Sequence, residues 1–139
     1  MIKTVIFDLD GLLINSEPLW HEAEKAAFAQ VGINLTHQMC LQNTGLRINE
    51  VVQMWYDAIP WQNKSTADVT NDVLDQLLLL IATKATLMDG VTELLAFFGQ
   101  MNLNVAVASS SPTKVIHAAF AKFNLFFNIF RSSTAGSNY

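Results

Sequence analysis

The chain has 139 residues, of which 51% are hydrophobic and 14% are charged, a composition that is typical of a globular rather than a disordered protein. Twelve acidic against eight basic side chains give a net charge of −4, which argues against a nucleic-acid partner. Because the single cysteine, Cys40, cannot form an internal disulfide and no apolar run is long enough to span a bilayer, we expect a cytoplasmic protein without membrane contact.

The first part of the chain predicts one strand followed by helices. Residues 2–8 are rich in β-branched and aromatic side chains, as expected for a strand that is buried on both faces. A first helix is expected after Ser16 as its N-cap, with Gly32 closing it. Two further helices are expected over residues 49–58 and 65–83, the second from its apolar period of 3.6.

The second part of the chain predicts a turn, two helices and another buried strand. A turn at residues 89–90 precedes a helix over 91–101, and the strand follows over 103–109. A helix opened by Pro112 is then expected to run through Phe123. Because no hairpin joins the two buried strands, we expect them to lie parallel in one sheet with helical cover.

These elements predict an α/β fold with a Rossmann-like parallel sheet core and an inserted α-helical cap subdomain. The core is assigned to residues 1–14 and 87–125, the cap to 15–86, and an irregular tail to 126–139. A covered parallel sheet usually has about five or six strands. Because the pattern supplies two, we expect the sheet to be incomplete and the chain to be truncated at its C-terminal end.

Polar residues follow both predicted strands at the point where each strand ends. Asp8 and Asp10 end the first strand, and the serine run 109–111 ends the second. In open α/β sheets, ligands bind at the carboxyl ends of the strands. Because side chains alternate along a strand, Asp8 and Asp10 could face the same site while Leu9 packs on the other side. A Mg²⁺ ion at this site would relieve the repulsion between the two carboxylates. Because hydroxyl and backbone N–H groups suit phosphate oxygens, the pattern suggests phosphoryl transfer.

Each motif also has a plainer interpretation. The sequence D-x-D-G is a common turn, and SSSP is commonly a helix N-cap. The occurrence of both motifs, each at the end of a buried strand, favours a catalytic site over two unrelated turns.

Three stretches together resemble a known family: FDLDGLLINSEPLW, VAVASSSP and NTGLRINEVVQMWY. They resemble haloacid-dehalogenase-type hydrolases, in the branch that contains β-phosphoglucomutases and small sugar-phosphate phosphatases, and the resemblance covers residues 2 to about 125. It implies a Mg²⁺-dependent phosphatase that hydrolyses small sugar phosphates, of the 2-deoxyglucose 6-phosphate or hexitol phosphate type, through an aspartyl-phosphate. If the chain is complete, we expect a monomer, and the composition already argues against nucleic-acid and membrane partners.

The resemblance assigns roles to the residues at the strand ends. Asp8 would be the nucleophile and would also bind Mg²⁺. Asp10 would protonate the leaving alkoxide, then activate water, and would give Mg²⁺ its backbone carbonyl. Ser109 and Ser110 would hold the phosphoryl group that is transferred.

The resemblance also assigns a role in the cap. Thr44, Gly45 and Arg47 match the segment that reaches over the sugar, although Arg47 could equally be a solvated arginine at a helix start. The family's lysine signature and its acidic pair fall later than this chain extends. We therefore expect this chain to be an inactive or impaired form of the enzyme.

Two alternatives to a phosphatase stay open. A phosphomutase of the β-phosphoglucomutase type is the nearest enzyme, but mutases that resemble this chain carry a histidine near Trp20, and His21 lies one place away. A non-catalytic fragment is the alternative from another class, and its exposed apolar strand faces would promote self-association.

Overall fold

The computed structural model describes residues 2–101 and 103–125, together with the backbone of residues 128–131. Three strands and six helices lie within these residues. In chain order they are β1 (Thr4–Phe7), α1 (Glu17–Ala29), α2 (His37–Gln42), α3 (Ile48–Ala58), α4 (Thr66–Lys84), α5 (Val91–Gln100), β2 (Asn104–Ser109), α6 (Thr113–Phe123) and β3 (Asn128–Arg131).

The three strands form one sheet in the order β1-β2-β3, and both pairings are parallel. In the register of the first pair, Thr4 lies opposite Asn104 and Phe7 opposite Val107. Since the strands run in the same direction, the carboxyl ends of β1 and β2 lie next to each other at the same end of the sheet. The parallel sheet with helices confirms the α/β fold that the sequence predicts.

Strand β1 differs from the prediction in both length and burial. It has four residues, whereas residues 2–8 were expected to form it, and Ile6 is 60% exposed. The expected burial on both faces is therefore wrong for β1, which lies at an edge of the described sheet. Strand β2 fits the expectation better, because Ala106 and Val107 are almost fully buried.

Two elements were missed from the sequence. The irregular tail expected over 126–139 is wrong at residues 128–131, where β3 pairs with β2, while 126, 127 and 132–139 lie outside the described residues. Strand β3 has only four residues and is stabilised by its pairing with β2, and the local sequence does not show this pairing. Helix α2 has six residues, too few for a helical period to be detected, although Thr36 caps it by accepting a hydrogen bond from the Met39 N–H at 3.2 Å.

The chain divides into two compact units, Met1–Glu17 with Lys84–Tyr139, and Pro18–Thr83. These divisions lie within a few residues of the expected boundaries of core and cap. Most buried apolar side chains of the first unit form one cluster, with members on β1, β2, α5, α6 and the loop that follows β1. Its members are Phe7, Leu9, Leu13, Ile14, Val91, Val107, Ile116, Ala119, Phe120 and Leu125.

The second unit is built from α1, α2, α3 and most of α4. Helix α4 buries Val69, Val73, Leu77 and Ile81 completely, and their spacing of four residues places them on one face. Each such side chain contributes about 1.5–3 kcal/mol when it is fully removed from water. Within the described residues, no helix combines the length and the apolar character that crossing a membrane would require.

Helix α5 carries a glycine at each end, and the two should respond oppositely to alanine. Gly90 is the N-cap residue with φ of 81°, whereas Gly99 lies inside the helix, and a Cβ at either would meet no heavy atom within 4 Å. Gly90→Ala should lower the free energy of unfolding by about 1 kcal/mol because left-handed backbone is strained for alanine. Gly99→Ala should raise it by up to about 1 kcal/mol. Urea unfolding of both variants tests this, and effects of equal sign would contradict it.

Candidate active site

The loop that follows β1 turns back immediately after the strand. Gly11 has φ of 74°, a conformation that favours glycine, and its N–H donates to the Ile14 carbonyl at 2.9 Å. The N–H groups of Leu13 and Ile14 both donate to the Leu9 carbonyl, at 3.0 and 3.1 Å. This turn fixes the backbone on which the two aspartates lie.

The end of the same loop is tied to the segment that precedes α5. The Asn15 N–H donates to the Thr86 carbonyl, and the Met88 N–H donates to the Leu13 carbonyl, each at 3.0 Å. One distant segment, residues 86–88, thus holds the end of the loop through two backbone hydrogen bonds. The position of Ser16, the last residue before α1, is set by these bonds.

The two aspartates lie in different surroundings. Leu9 is fully buried in the core of the first unit, while Asp8 is exposed and Asp10 is half-buried, which is the alternation expected from the sequence. The Asp8 Oδ1 accepts a hydrogen bond from the Leu9 N–H at 2.7 Å. Asp8 therefore presents a carboxylate to solvent at the carboxyl end of β1.

Two serine hydroxyls hold Asp10, and a third lies close to it. Ser16 Oγ donates to Asp10 Oδ1 at 2.6 Å, and Ser111 Oγ donates to Asp10 Oδ2 at 2.6 Å. Ser109 Oγ lies 3.5 Å from the same Oδ2. All three serines are more than nine-tenths buried. Because each oxygen of Asp10 accepts a short hydrogen bond, the orientation of its carboxyl group is fixed.

The serine run after β2 divides its residues between two environments. The Ser111 N–H donates to Ser109 Oγ at 3.0 Å, which turns the backbone so that Ser109 and Ser111 are buried and Ser110 is exposed. The structure thus brings Asp10 and Ser109 together, with Asp8 and Ser110 exposed beside them in the chain.

Sequence reasoning missed two residues of this site. Ser16 was assigned only as the N-cap of α1, which begins one residue later at Glu17, and Ser111 was noted in the serine run without a role. The run SSSP was a signal for Ser111, since it follows a strand directly. The contact between Ser16 and Asp10 depends on the loop folding back, for which the sequence has no local signal.

The cap residues singled out from the sequence lie between α2 and α3, in the second unit. Thr44 and Gly45 are exposed, and Arg47 is half-buried as the N-cap residue of α3. The Arg47 N–H donates to Glu50 Oε2 at 3.0 Å. Asp8, Asp10 and the serines belong to the first unit, so the two groups of residues are described separately.

The oxygen donors at the end of β1 can be compared with what Mg²⁺ requires. Mg²⁺ takes six oxygen ligands and is usually bound by one or two carboxylates together with waters and substrate phosphates. Within the described residues, no group of three or more His, Cys, Asp or Glu side chains is arranged to hold a metal ion. Because serines engage both oxygens of Asp10, the exposed Asp8 carboxylate is the side chain that fits a Mg²⁺ ligand.

Comparison with known sequences identifies relatives along almost the whole chain. Residues 2–137 match the family model of haloacid dehalogenase-like hydrolases, so the likeness does not end near residue 125 as expected. Over 125 residues the chain is 38% identical to hexitol phosphatase B of Escherichia coli (strain K12). The aligned part is 89% of this chain and 56% of that protein, so the chain spans about half the length of the curated relatives it matches.

Comparison with solved structures shows the same fold. CbbY from Rhodobacter sphaeroides, in complex with phosphate, superposes with a TM-score of 0.84 and 20% identity, covering 99% of this chain and 66% of that chain. β-Phosphoglucomutase from Clostridium difficile gives a TM-score of 0.76 and 17% identity, covering 99% and 65%. At these identities the solved structures show a shared fold only. The family is established by the match to the family model. By that match the chain belongs to the haloacid dehalogenase-like hydrolases.

Proposed function

We propose that the protein is a Mg²⁺-dependent phosphatase of small sugar phosphates, with Asp8 as its nucleophile. The observation that carries this proposal is the difference between two neighbouring carboxylates. Asp8 is exposed, while Asp10 is half-buried and oriented by serine hydroxyls. Two carboxylates in unlike surroundings suit a division between nucleophile and proton carrier. Membership of the hydrolase family and 38% identity to a hexitol phosphatase support the same reaction class.

In the proposed reaction, an Asp8 oxygen attacks the phosphorus atom and the bond between phosphorus and the sugar oxygen breaks. Asp10 gives its proton to the departing alkoxide. Asp10 then takes a proton from water, whose oxygen attacks the aspartyl-phosphate, releasing phosphate and restoring Asp8. Mg²⁺, held by the Asp8 carboxylate and the Asp10 backbone carbonyl, would neutralise charge on the phosphoryl oxygens.

Ser109 and Ser110 are proposed to hold the phosphoryl group. The 3.5 Å separation between Ser109 Oγ and Asp10 Oδ2 is at the limit of a hydrogen bond. The Ser109 hydroxyl can therefore turn to a phosphoryl oxygen while the two 2.6 Å bonds to Asp10 stay intact. Ser110 follows as an exposed residue at the start of the turn into α6.

The proposed substrates are 2-deoxyglucose 6-phosphate and hexitol phosphates, with Thr44, Gly45 and Arg47 contacting the sugar. The protein is proposed to act as a monomer in the cytoplasm, with no nucleic-acid partner.

The proposal is tested by measuring phosphate release from a panel of hexose and hexitol phosphates, at high enzyme concentration, with Mg²⁺ or with EDTA. Release that requires Mg²⁺ and is lost in Asp8→Asn would support a phosphatase. Folded protein that releases no phosphate from any member of the panel would contradict it and would favour a non-catalytic fragment.

A phosphomutase is the second candidate, because the chain shares its fold with β-phosphoglucomutase. His21 is the residue nearest in sequence to the histidine that such mutases carry. It is buried, and its ring packs edge-on against His37 with 5.2 Å between centroids, which favours a structural role in the cap. Faster product formation on addition of glucose 1,6-bisphosphate would favour the mutase, and an unchanged rate would favour the phosphatase.

A further inference from the structure

The second unit buries a carboxylate that the proposed chemistry does not use. Glu24 on α1 is 5% exposed, and Asn43, which follows α2, is 3% exposed. Asn43 Nδ2 donates to Glu24 Oε2 at 2.9 Å, and the Cys40 thiol also hydrogen-bonds Glu24. Burial raises the pKa of Glu24, although both hydrogen bonds act in the opposite direction.

The Glu24–Asn43 pair is not an efficient way to stabilise the fold. Within the described residues, the buried Asn43 Oδ1 has no hydrogen-bond partner, which is costly for an amide oxygen removed from water. Replacing both partners of a buried hydrogen bond by apolar groups of the same shape can be nearly neutral or even stabilising. The buried Glu24–Asn43 pair therefore points to a purpose other than holding the helices together.

Asn43 occupies the point at which α2 ends and the next turn begins. Its N–H donates to the Cys40 carbonyl at 2.9 Å, and its carbonyl accepts from the Leu46 N–H at 3.0 Å. The four residues 43–46 thus form a hydrogen-bonded turn, with Gly45 in its third position at φ of 87°. The side chain of the first residue of this turn is the one tied to α1 through Glu24.

We propose that Glu24 and Asn43 form a clamp that fixes the turn 43–46, which makes Glu24 a positioning residue for the exposed Thr44 and the adjoining Arg47. The Arg47 N–H is bound by Glu50 at the start of α3, so the segment is anchored at both ends. A rigid turn loses less conformational entropy when a ligand binds to it. The substrate-binding half of this inference rests on the proposed function, whereas the clamp itself does not.

The clamp is tested by using NMR to measure the rate at which the Leu46 amide hydrogen exchanges with solvent. Glu24→Met, which removes the acceptor at similar length, should speed this exchange by about tenfold because the turn loses its anchor. Glu24→Gln keeps an acceptor for Asn43 and should leave the exchange rate near that of the original chain. Val73→Ala, a core substitution on α4, is the control for a general loss of stability and should not change it. Asn43→Ala gives the same test from the other side if Glu24→Met does not fold.

The positioning role is tested by kinetics with a hexitol phosphate. Glu24→Met should raise KM by about tenfold with kcat little changed, while Glu24→Gln and Val73→Ala should leave KM unchanged. Unchanged Leu46 exchange in folded Glu24→Met and Asn43→Ala would overturn the clamp. Faster exchange with unchanged KM would overturn the positioning role. Faster exchange in a protein that releases no phosphate would support the clamp and overturn the proposed function instead.

Discussion

Asp8→Asn should lower phosphate release at least about a thousandfold, because the amide cannot attack phosphorus as a carboxylate does. The same change should leave the free energy of unfolding nearly unaltered. Asp8 is exposed, and an asparagine Oδ1 can still accept the hydrogen bond from the Leu9 N–H. The loss of activity would then be chemical and would not arise from misfolding.

Asp89→Asn is the matched control, since Asp89 is another exposed aspartate of the first unit, in the turn before α5. Its rate of phosphate release should equal that of the original chain. Rates are measured at saturating Mg²⁺ and substrate, and stability by urea unfolding. An Asp8→Asn variant that retains more than about a tenth of the rate would remove Asp8 from the role of nucleophile.

Asp10→Ala should reduce both activity and stability. We expect a loss of about 10²–10⁴ in rate, the range for removal of a general acid and base. The free energy of unfolding should fall by about 1–3 kcal/mol, because the buried hydroxyls of Ser16 and Ser111 lose their acceptor.

Asp89→Ala is the control for the effect on stability. It removes a carboxylate of the same size from an exposed position of the first unit, so its cost should stay within about 0.5 kcal/mol. Urea unfolding of the two alanine variants gives the comparison. If Asp89→Ala destabilises the protein as much as Asp10→Ala, the serine hydroxyls do not hold Asp10 in the way the geometry indicates.

The local sequence predicted those parts of the site that depend on a strand and the residues next to it. The alternation that continues just past β1 placed Leu9 in the core and turned Asp8 and Asp10 away from it. The engagement of Asp10 by Ser16 and Ser111 was not predictable in this way. It requires a turn at residues 9–14 and the parallel pairing of β1 with β2, which joins residues about a hundred positions apart.

The fold shows the same limit. Long helices such as α4 were predicted nearly to the residue, because a stripe of apolar side chains with a helical period is a local signal. The short elements α2 and β3 were missed. Helix α2 depends on its cap at Thr36, and β3 depends on its pairing with β2. Burial of β1 was overestimated, because the composition of a strand does not show whether the strand lies at the centre or the edge of a sheet.

The most direct measurement of the central claim is mass spectrometry of the peptide that contains Asp8, after rapid acid quenching of the protein with Mg²⁺ and a hexitol phosphate. Reduction with borohydride before digestion would convert a phosphorylated aspartate to homoserine and mark its position. We expect the label at Asp8, with none at Asp10 and none without Mg²⁺. Phosphate release without any label at Asp8, or a label at another residue, would contradict the proposal that Asp8 is the nucleophile.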